Sequence, residues 1–368
     1  MEEKNIKTIS DFKEEIHRCS KCGICQSACP LYKVTGNECT VSRGQFIMLN
    51  GVIKGDLKLN KNINRYLDMC LKCNKCTQYC PSEINALDII LTAKHEYFKN
   101  SLEGKIYGFL ESKYVFGFFL KSIEKLCTIF TPKYKSKTYS KKAVYFGGCI
   151  NKLHPEVNNY AKKLLNEMEI EVIDKSFDCC GMPFLTTGNI ERFIEVAIKN
   201  TSLLPDNIEY IITDCASCNW AWREYTKYID NENLKQKLEK IKIISIYDLI
   251  SQSAIKFSAK KPLSVTYHKP CHEKGEEAFN ILKSIENIEY TEMDGYDECC
   301  GFGGFEHPYV IKDLKPIYKK KSDNIKKASA DVVLTSCVGC LMSISTITGF
   351  RKKTRRLITF LKDYCNID

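Results

Sequence analysis

The chain has 368 residues, 21 of them cysteine, and a formal charge of +10, with 44% hydrophobic and 27% charged residues. That length supports two or three domains with cores of ordinary size, which excludes a disulfide-stapled miniprotein, and the balance excludes a disordered, collagenous or integral-membrane chain. The opening MEEKNIKTIS has neither the basic region nor the apolar core of a secretory signal. The expectation is a cytoplasmic protein whose clustered thiols stay reduced and serve as metal ligands or redox groups.

Along the chain, Cys19, Cys22, Cys25 and Cys29, followed by Pro30, recur as Cys70, Cys73, Cys76 and Cys80, followed by Pro81, each displaced by 51. The spacing C-x2-C-x2-C-x3-C-P is the bacterial ferredoxin signature for a [4Fe–4S] cluster, because three thiolates of one tight loop converge on one cubane. In two-cluster ferredoxins the fourth cysteine of each run serves the other cluster. Cys19, Cys22, Cys25 and Cys80 are therefore assigned to one cubane, and Cys70, Cys73, Cys76 and Cys29 to the other. Zinc is the competing reading; it takes four ligands in a tetrahedron, whereas this pattern supplies eight in two matched runs. Residues 1–100 thus read as a mainly helical, two-cluster ferredoxin-like domain, a short wire for single electrons.

Residues 101–142 carry no cysteine pattern and read as a helical connector and a basic linker, KYKSKTYSKK. Within them Ile106 to Leu120 is apolar, but Glu111 and Lys113 interrupt it and a membrane span needs about 20 apolar residues. It reads as an amphipathic helix packing on its own protein, with docking to a partner or a membrane surface as the alternative.

The remainder is a duplication. Cys149, Cys179, Cys180, Cys215 and Cys218 recur as Cys271, Cys299, Cys300, Cys337 and Cys340 at displacements of 120 or 122, dividing this part into domains 143–258 and 259–368. Apolar runs at Lys142 to Phe146, Ile208 to Thr213, Leu263 to Tyr267 and Val332 to Thr335 predict buried strands. Glu156 to Met168 and Ile190 to Lys199 have the spacing of helices that cover a sheet. The cysteines follow the strands, where open α/β sheets hold their ligands. The fold class is α+β overall: a helical ferredoxin-like domain, then two α/β cysteine-rich domains. Cys39, Cys127 and Cys365 belong to no set and read as ordinary thiols.

The arrangement Cys, Cys-Cys-Gly, C-x-x-C, twice over, with CPLYKVTGNE, SRGQ, CLKCNKCTQYCPSEI, HKPCH and CCGFGGFE, resembles a known family. It is similar to the cysteine-rich "CCG" domains of heterodisulfide reductase catalytic subunits and of the iron–sulfur subunits of glycolate, lactate and anaerobic glycerol-3-phosphate oxidoreductases. The resemblance covers nearly the whole chain. It implies a noncubane [4Fe–4S] cluster in each complete five-cysteine set; a cubane with one spare thiolate is the alternative. Many oxidase subunits lack some of these cysteines, whereas here all ten are present. Gly181 and Gly301 let the backbone pass close and turn. Candidates for chemistry at the clusters are Cys180, Cys300, and His268 and His272, which flank Cys271; either histidine could equally be structural. The run Gly301-Phe302-Gly303-Gly304 fails as a dinucleotide fingerprint because position 306 is Glu.

Electrons are therefore expected to enter or leave through a partner: a flavoprotein, a ferredoxin or a membrane cytochrome. Basic runs at Arg351 to Arg356 and Tyr318 to Lys327 read as solvated faces, or as docking sites for an acidic redox partner or the inner face of a membrane. No nucleic-acid motif accompanies them. Two functions follow. One is an oxidoreductase subunit of heterodisulfide reductase type, passing electrons to noncubane clusters where a small disulfide or thiol substrate reacts. The other is a non-catalytic relay in a flavin-dependent hydroxy-acid oxidoreductase. A zinc scaffold without redox activity is the third class.

Overall fold

Short helices punctuated by left-handed turns build the first of two compact units, which comprises Met1–Ser112, Pro183–Phe193 and Glu298–Lys321. The computed structural model describes residues 6–110, 131, 134–304, 311–350 and 353–367. The helix Lys61–Met69 starts because the Asn60 side chain accepts from the Asn62 and Ile63 amides at 3.0 and 3.2 Å. Ser42–Lys54 stops where Gly55 turns left-handed, and Pro30 opens Pro30–Thr35. Their apolar faces meet in a core of Ile9, Phe12, Phe46, Leu49, Leu67, Ile89 and Ile90, with Cys19, Cys70, Cys76 and Cys80 against it. A buried ion pair joins Lys94 Nζ to Asp68 Oδ1 at 2.9 Å. Both ends have further partners: Lys94 Nζ donates to Thr186 O at 2.7 Å and Asn64 Nδ2 to Asp68 Oδ2 at 2.7 Å. A charge pair of this kind can stay buried because its hydrogen bonds replace water.

The helix Leu102–Leu110 opens the predicted connector and exposes Leu102, Ile106 and Phe109. Most of the apolar stretch after it, with Cys127, lies outside the described residues.

The second unit comprises Lys113–Met182, Ile194–Asp297 and Ser322–Asp368. Its first sheet is parallel, with β1 (Lys141–Phe146), β2 (Ile170–Val172), β3 (Tyr210–Thr213) and β4 (Lys242–Ser245) in the order β2-β1-β3-β4. The second repeats the plan with β5 (Phe257–His268), β6 (Glu286–Tyr290), β7 (Val332–Thr335) and β8 (Lys353–Arg356) in the order β6-β5-β7-β8; β9 (Cys365–Ile367) pairs antiparallel with β5. The duplication extends to register. Ala143 faces Tyr210 in the first sheet, and Val265 faces Val332 in the second, both displaced by 122. The helices Pro155–Glu167 and Ile190–Ser202 match the predicted spacing. One hydrophobic core runs through both sheets, from Tyr145, Leu164 and Ile212 to Tyr267, Leu334 and Phe360.

Candidate metal centres

Each ferredoxin-like run folds around two left-handed residues at equivalent places, Lys21 (φ 58) and Gly23 (φ 82) in the first, Lys72 (φ 53) and Asn74 (φ 61) in the second. These reversals curl each loop before a short helix, Ile24–Ala28 or Lys75–Gln78, so that its cysteines face inward. Two cavities result. One, of about 400 Å³, is lined by Cys19, Cys22 and Cys25 of the first run and by Cys76 and Cys80 of the second. The other, of about 430 Å³, is lined by Cys70, Cys73 and Cys76 of the second run and by Cys29 of the first. Burial pushes the Cys29 thiol up to about 11 and Cys76 up to about 12, whereas exposed Cys22 is lowered by the backbone amide of Ile24. Cys39 lines neither cavity.

The first five-cysteine set gathers at the carboxyl ends of β1 and β3. Cys149 sits in the helical turn Gly148–Asn151 just after β1; Cys215 caps the helix Ala216–Tyr228 after β3, and Cys218 lies in that helix's first turn. Their sulfurs form a continuous chain of contacts, from Cys149 to Cys179, Cys180, Cys218 and Cys215. The chain continues from Cys215 to Cys337 and Cys340 of the second set. Cys180, accepting from Cys179 and then Cys218, is lowered, while its neighbours Cys179 and Cys218 are pushed up. Crowded thiols cannot all ionise together unless a cation joins them, and a bound metal supplies that charge. The donor set therefore fits a polynuclear sulfur-ligated metal centre. So does the backbone: a Cβ on Gly148 would lie 3.2 Å from Cys218 Sγ, and Gly181, at φ +80, donates its amide to Cys179 Sγ at 3.4 Å.

Polar groups brace this set. The Tyr225 hydroxyl donates to Cys180 O at 2.8 Å, and Asn200 Nδ2 donates to Cys179 O and to the Tyr225 hydroxyl, both at 3.0 Å. Asp214, fully buried beside Cys215, pairs with Arg356 at 3.2 Å and accepts from Asn151 Nδ2 at 2.9 Å; Arg356 also bonds Asn151. Sequence reading missed four of these five residues and set Arg356 in the solvated or docking run Arg351 to Arg356, whereas its guanidinium is 3% exposed and held by Asp214. A signal existed, because the repeat aligns Asn151 and Asp214 with Glu273 and Ser336. In the second half Glu273 accepts from the Tyr267 hydroxyl at 2.6 Å and from Ser336. The carboxylate has changed position between the two halves, and burial raises that of Glu273 to about 7.

In the second set, Cys271 follows β5, Cys337 caps the helix Val338–Ile347 and Cys340 lies in its first turn, all in the sheet-bearing unit. Cys299 and Cys300 belong to the helical unit, both buried. Gly301, at φ +83, donates its amide to Cys299 Sγ at 3.5 Å, as Gly181 does to Cys179. His268 is the fully buried last residue of β5. His272 is half-buried and stacks on Trp220 with ring centroids 4.6 Å apart.

Comparison with known proteins bears directly on these sites. Residues 15–84 match the 4Fe-4S dicluster domain, and residues 143–223 and 265–345 each match the cysteine-rich CCG domain. The chain belongs to the iron–sulfur proteins that combine these domains. It is 25% identical to the probable glycolate oxidase iron-sulfur subunit of Bacillus subtilis, covering 93% of this chain and 92% of that one. It is also 25% identical to a fumarate reductase (CoM/CoB) subunit of Methanothermobacter marburgensis, over 90% of this chain and 68% of that one. A crystal structure of a hypothetical protein from Helicobacter pylori shares the fold, with a TM-score of 0.52 at 14% identity over 87% of this chain and 67% of that chain. This member is an iron–sulfur electron-transfer protein of oxidoreductase type. Among the described residues, no helix is long and apolar enough to cross a membrane.

Proposed function

We propose that the chain is an oxidoreductase subunit of heterodisulfide reductase type, carrying four clusters and acting on a small disulfide or thiol with a redox partner. Cys19, Cys22, Cys25 and Cys80 would hold one cubane and Cys29, Cys70, Cys73 and Cys76 the other, a crossed pattern supported by the lining of the two cavities. Cys149, Cys179, Cys180, Cys215 and Cys218 would hold a third cluster of noncubane type. The repeat extends that assignment to Cys271, Cys299, Cys300, Cys337 and Cys340. Such clusters supply reversible one-electron chemistry. The chain's own part is to exclude water with the aromatic wall of Phe146, Phe177 and Trp222, and to hold the Cys179 and Cys180 backbone fixed through Asn200 and Tyr225.

The observation that carries this reading is the unbroken run of sulfur contacts through a complete five-cysteine set, more thiols than one cubane uses. A relay role beside a flavoprotein is the second reading, favoured by the likeness to glycolate oxidase and lactate utilization proteins. The domain limits 1–100, 101–142, 143–258 and 259–368, a cytoplasmic location and a peripheral contact with the inner face of the membrane are part of the proposal. Adding a small disulfide to the anoxically reduced protein and following low-temperature EPR separates the two readings. A substrate-dependent change in the noncubane signals is expected of the catalyst; unchanged signals leave the relay.

A further inference from the structure

We infer that the lysine-rich face of the helix Ile311–Ala328, whose residues up to Lys321 belong to the helical unit, is the docking site of an acidic one-electron carrier protein. This rests on the reading of Cys29, Cys70, Cys73 and Cys76 as the ligands of one cubane. The helix is two-sided. Leu314 and Ile317 are buried in one apolar cluster with Leu31, Met69, Leu71 and Cys299, against which Cys29 and Cys73 pack. On the opposite side Lys312, Lys315 and Lys319 follow the three- and four-residue spacing of one helical face and are exposed. None of these three, nor exposed Lys33 on the helix Pro30–Thr35, pairs with a described carboxylate. Two described acids nearby are already matched, Asp313 by Arg65 at 2.6 Å and Glu298 by Lys320 at 2.7 Å.

Between the two helices runs a groove of about 310 Å³ lined by Pro30, Lys33, Cys299, Ile317 and the ion pair of Lys320 with Glu298, among others, so that Lys33 gives it its positive charge. Pro30 also lines the cavity of Cys29, Cys70, Cys73 and Cys76, so a single residue's thickness separates the cationic groove from those sulfurs. Size decides between occupants. From Lys312 to Lys319 the unpaired charges extend along the helix for about 10 Å at 1.5 Å per residue, more than a small anion spans and suited to a protein surface. Lys33 is the unpaired cation lining this groove; Lys312, Lys315 and Lys319 do not line it but stand on the other side of the same helix, about 10 Å away, a distance over which exposed cations steer an oppositely charged partner and raise its encounter rate. The step is one electron passed from the carrier's reduced centre to the oxidised centre behind Pro30; no bond changes and no proton moves.

The test uses the full-length, cluster-loaded protein, a reduced acidic [2Fe–2S] ferredoxin as probe, and stopped-flow bleaching of the chain's visible absorption. The wild-type second-order rate constant should fall steeply as salt rises. In the triple variant K312E/K315E/K319E it should drop at least tenfold at low salt and lose most of its salt dependence, while reduction by dithionite is unchanged. A wild-type rate indifferent to salt, or an unaltered rate in the triple variant, overturns the inference. So does loss of co-sedimentation with phosphatidylglycerol vesicles in a variant whose ferredoxin kinetics are unchanged, which would make this a membrane face. Should the triple variant fold poorly, the single variants K315E and K33E carry the same test at reduced size. A wild-type protein lacking iron would defeat the cubane assignment itself, a result distinct from a loaded protein that ignores the lysines.

Discussion

The ferredoxin-like loops and the first five-cysteine set meet the same chemical demand by opposite means. In the loops the cysteines are half-buried or, at Cys22, exposed, and converge because the backbone reverses at Lys21 and Gly23, then again at Lys72 and Asn74. In the sheet-bearing unit Cys179, Cys180, Cys215 and Cys218 are buried, arrive from segments far apart in the chain and are braced by Asn200, Tyr225, Asp214 and Arg356. A locally wound loop leaves its cluster edge near solvent, which suits exchange of electrons with another protein. An assembled site is dry and rigid, which suits chemistry that must exclude water.

The largest effects should come from the thiols themselves. Cys180→Ser is expected to remove about four irons and the signals of the first five-cysteine set alone; Cys29→Ser should remove the signals of the second cubane alone. Iron content and EPR of each variant check this, and any variant that loses signals from both regions breaks the contrast between them.

Next is the wall behind the assembled site. Trp222→Ala opens a cavity against Phe146, Phe177 and Tyr225 and should cost about 3–5 kcal/mol in urea unfolding. The cubane signals should survive to higher urea than those of the first set. Loss of both at one midpoint would mean that the two regions unfold as a single block.

Tyr225→Phe removes one hydroxyl and leaves Cys180 O and Asn200 without it, an expected loss of about 1–3 kcal/mol. Its EPR spectrum should change in the first-set signals and nowhere else.

The smallest effect belongs to the loops. Arg43 bonds Glu38 at 2.6 Å and Lys21 O at 3.1 Å on a solvent-screened surface, so Arg43→Ala should lower the unfolding midpoint only slightly, less than any variant above. The hydrogen bond from Arg43 holds the Glu38 carboxyl below its ordinary range. A depressed acid contributes stability above its unfolded pKa and loses it as pH falls through its folded one, so the difference between wild type and variant should shrink in acid. Denaturation midpoints at neutral and acidic pH measure it.

Much of the site was legible because cysteine spacing is written locally. Three cysteines of each loop need only their own turn, Cys29 and Cys80 reach the cavity of the other run, and the repeat of 51 announces all eight. The central strands β1, β3 and β7 were legible as apolar runs because they are buried on both faces. The edge strands were not. β2 has three residues and β6, ENIEY, alternates polar with apolar, so neither makes a run long enough to read. The bracing network was hidden for a different reason. Arg356 and Asp214 are 142 residues apart, and an Arg at the end of a basic run or a lone Asp looks like surface until the fold buries it. Only a comparison of the two halves, where Asn151 and Asp214 give way to Glu273 and Ser336, holds a trace of it. Cys39 and Cys365 stand apart from the clustered thiols, as their spacing implied; Cys365 is buried in β9.

The central claim is that two kinds of cysteine site in one chain hold four iron–sulfur clusters, and anoxic purification followed by iron, zinc and acid-labile sulfide analysis tests it most directly. About sixteen irons with matching sulfide per chain are predicted. About eight would leave the two five-cysteine sets without clusters, and zinc without sulfide would contradict the account altogether.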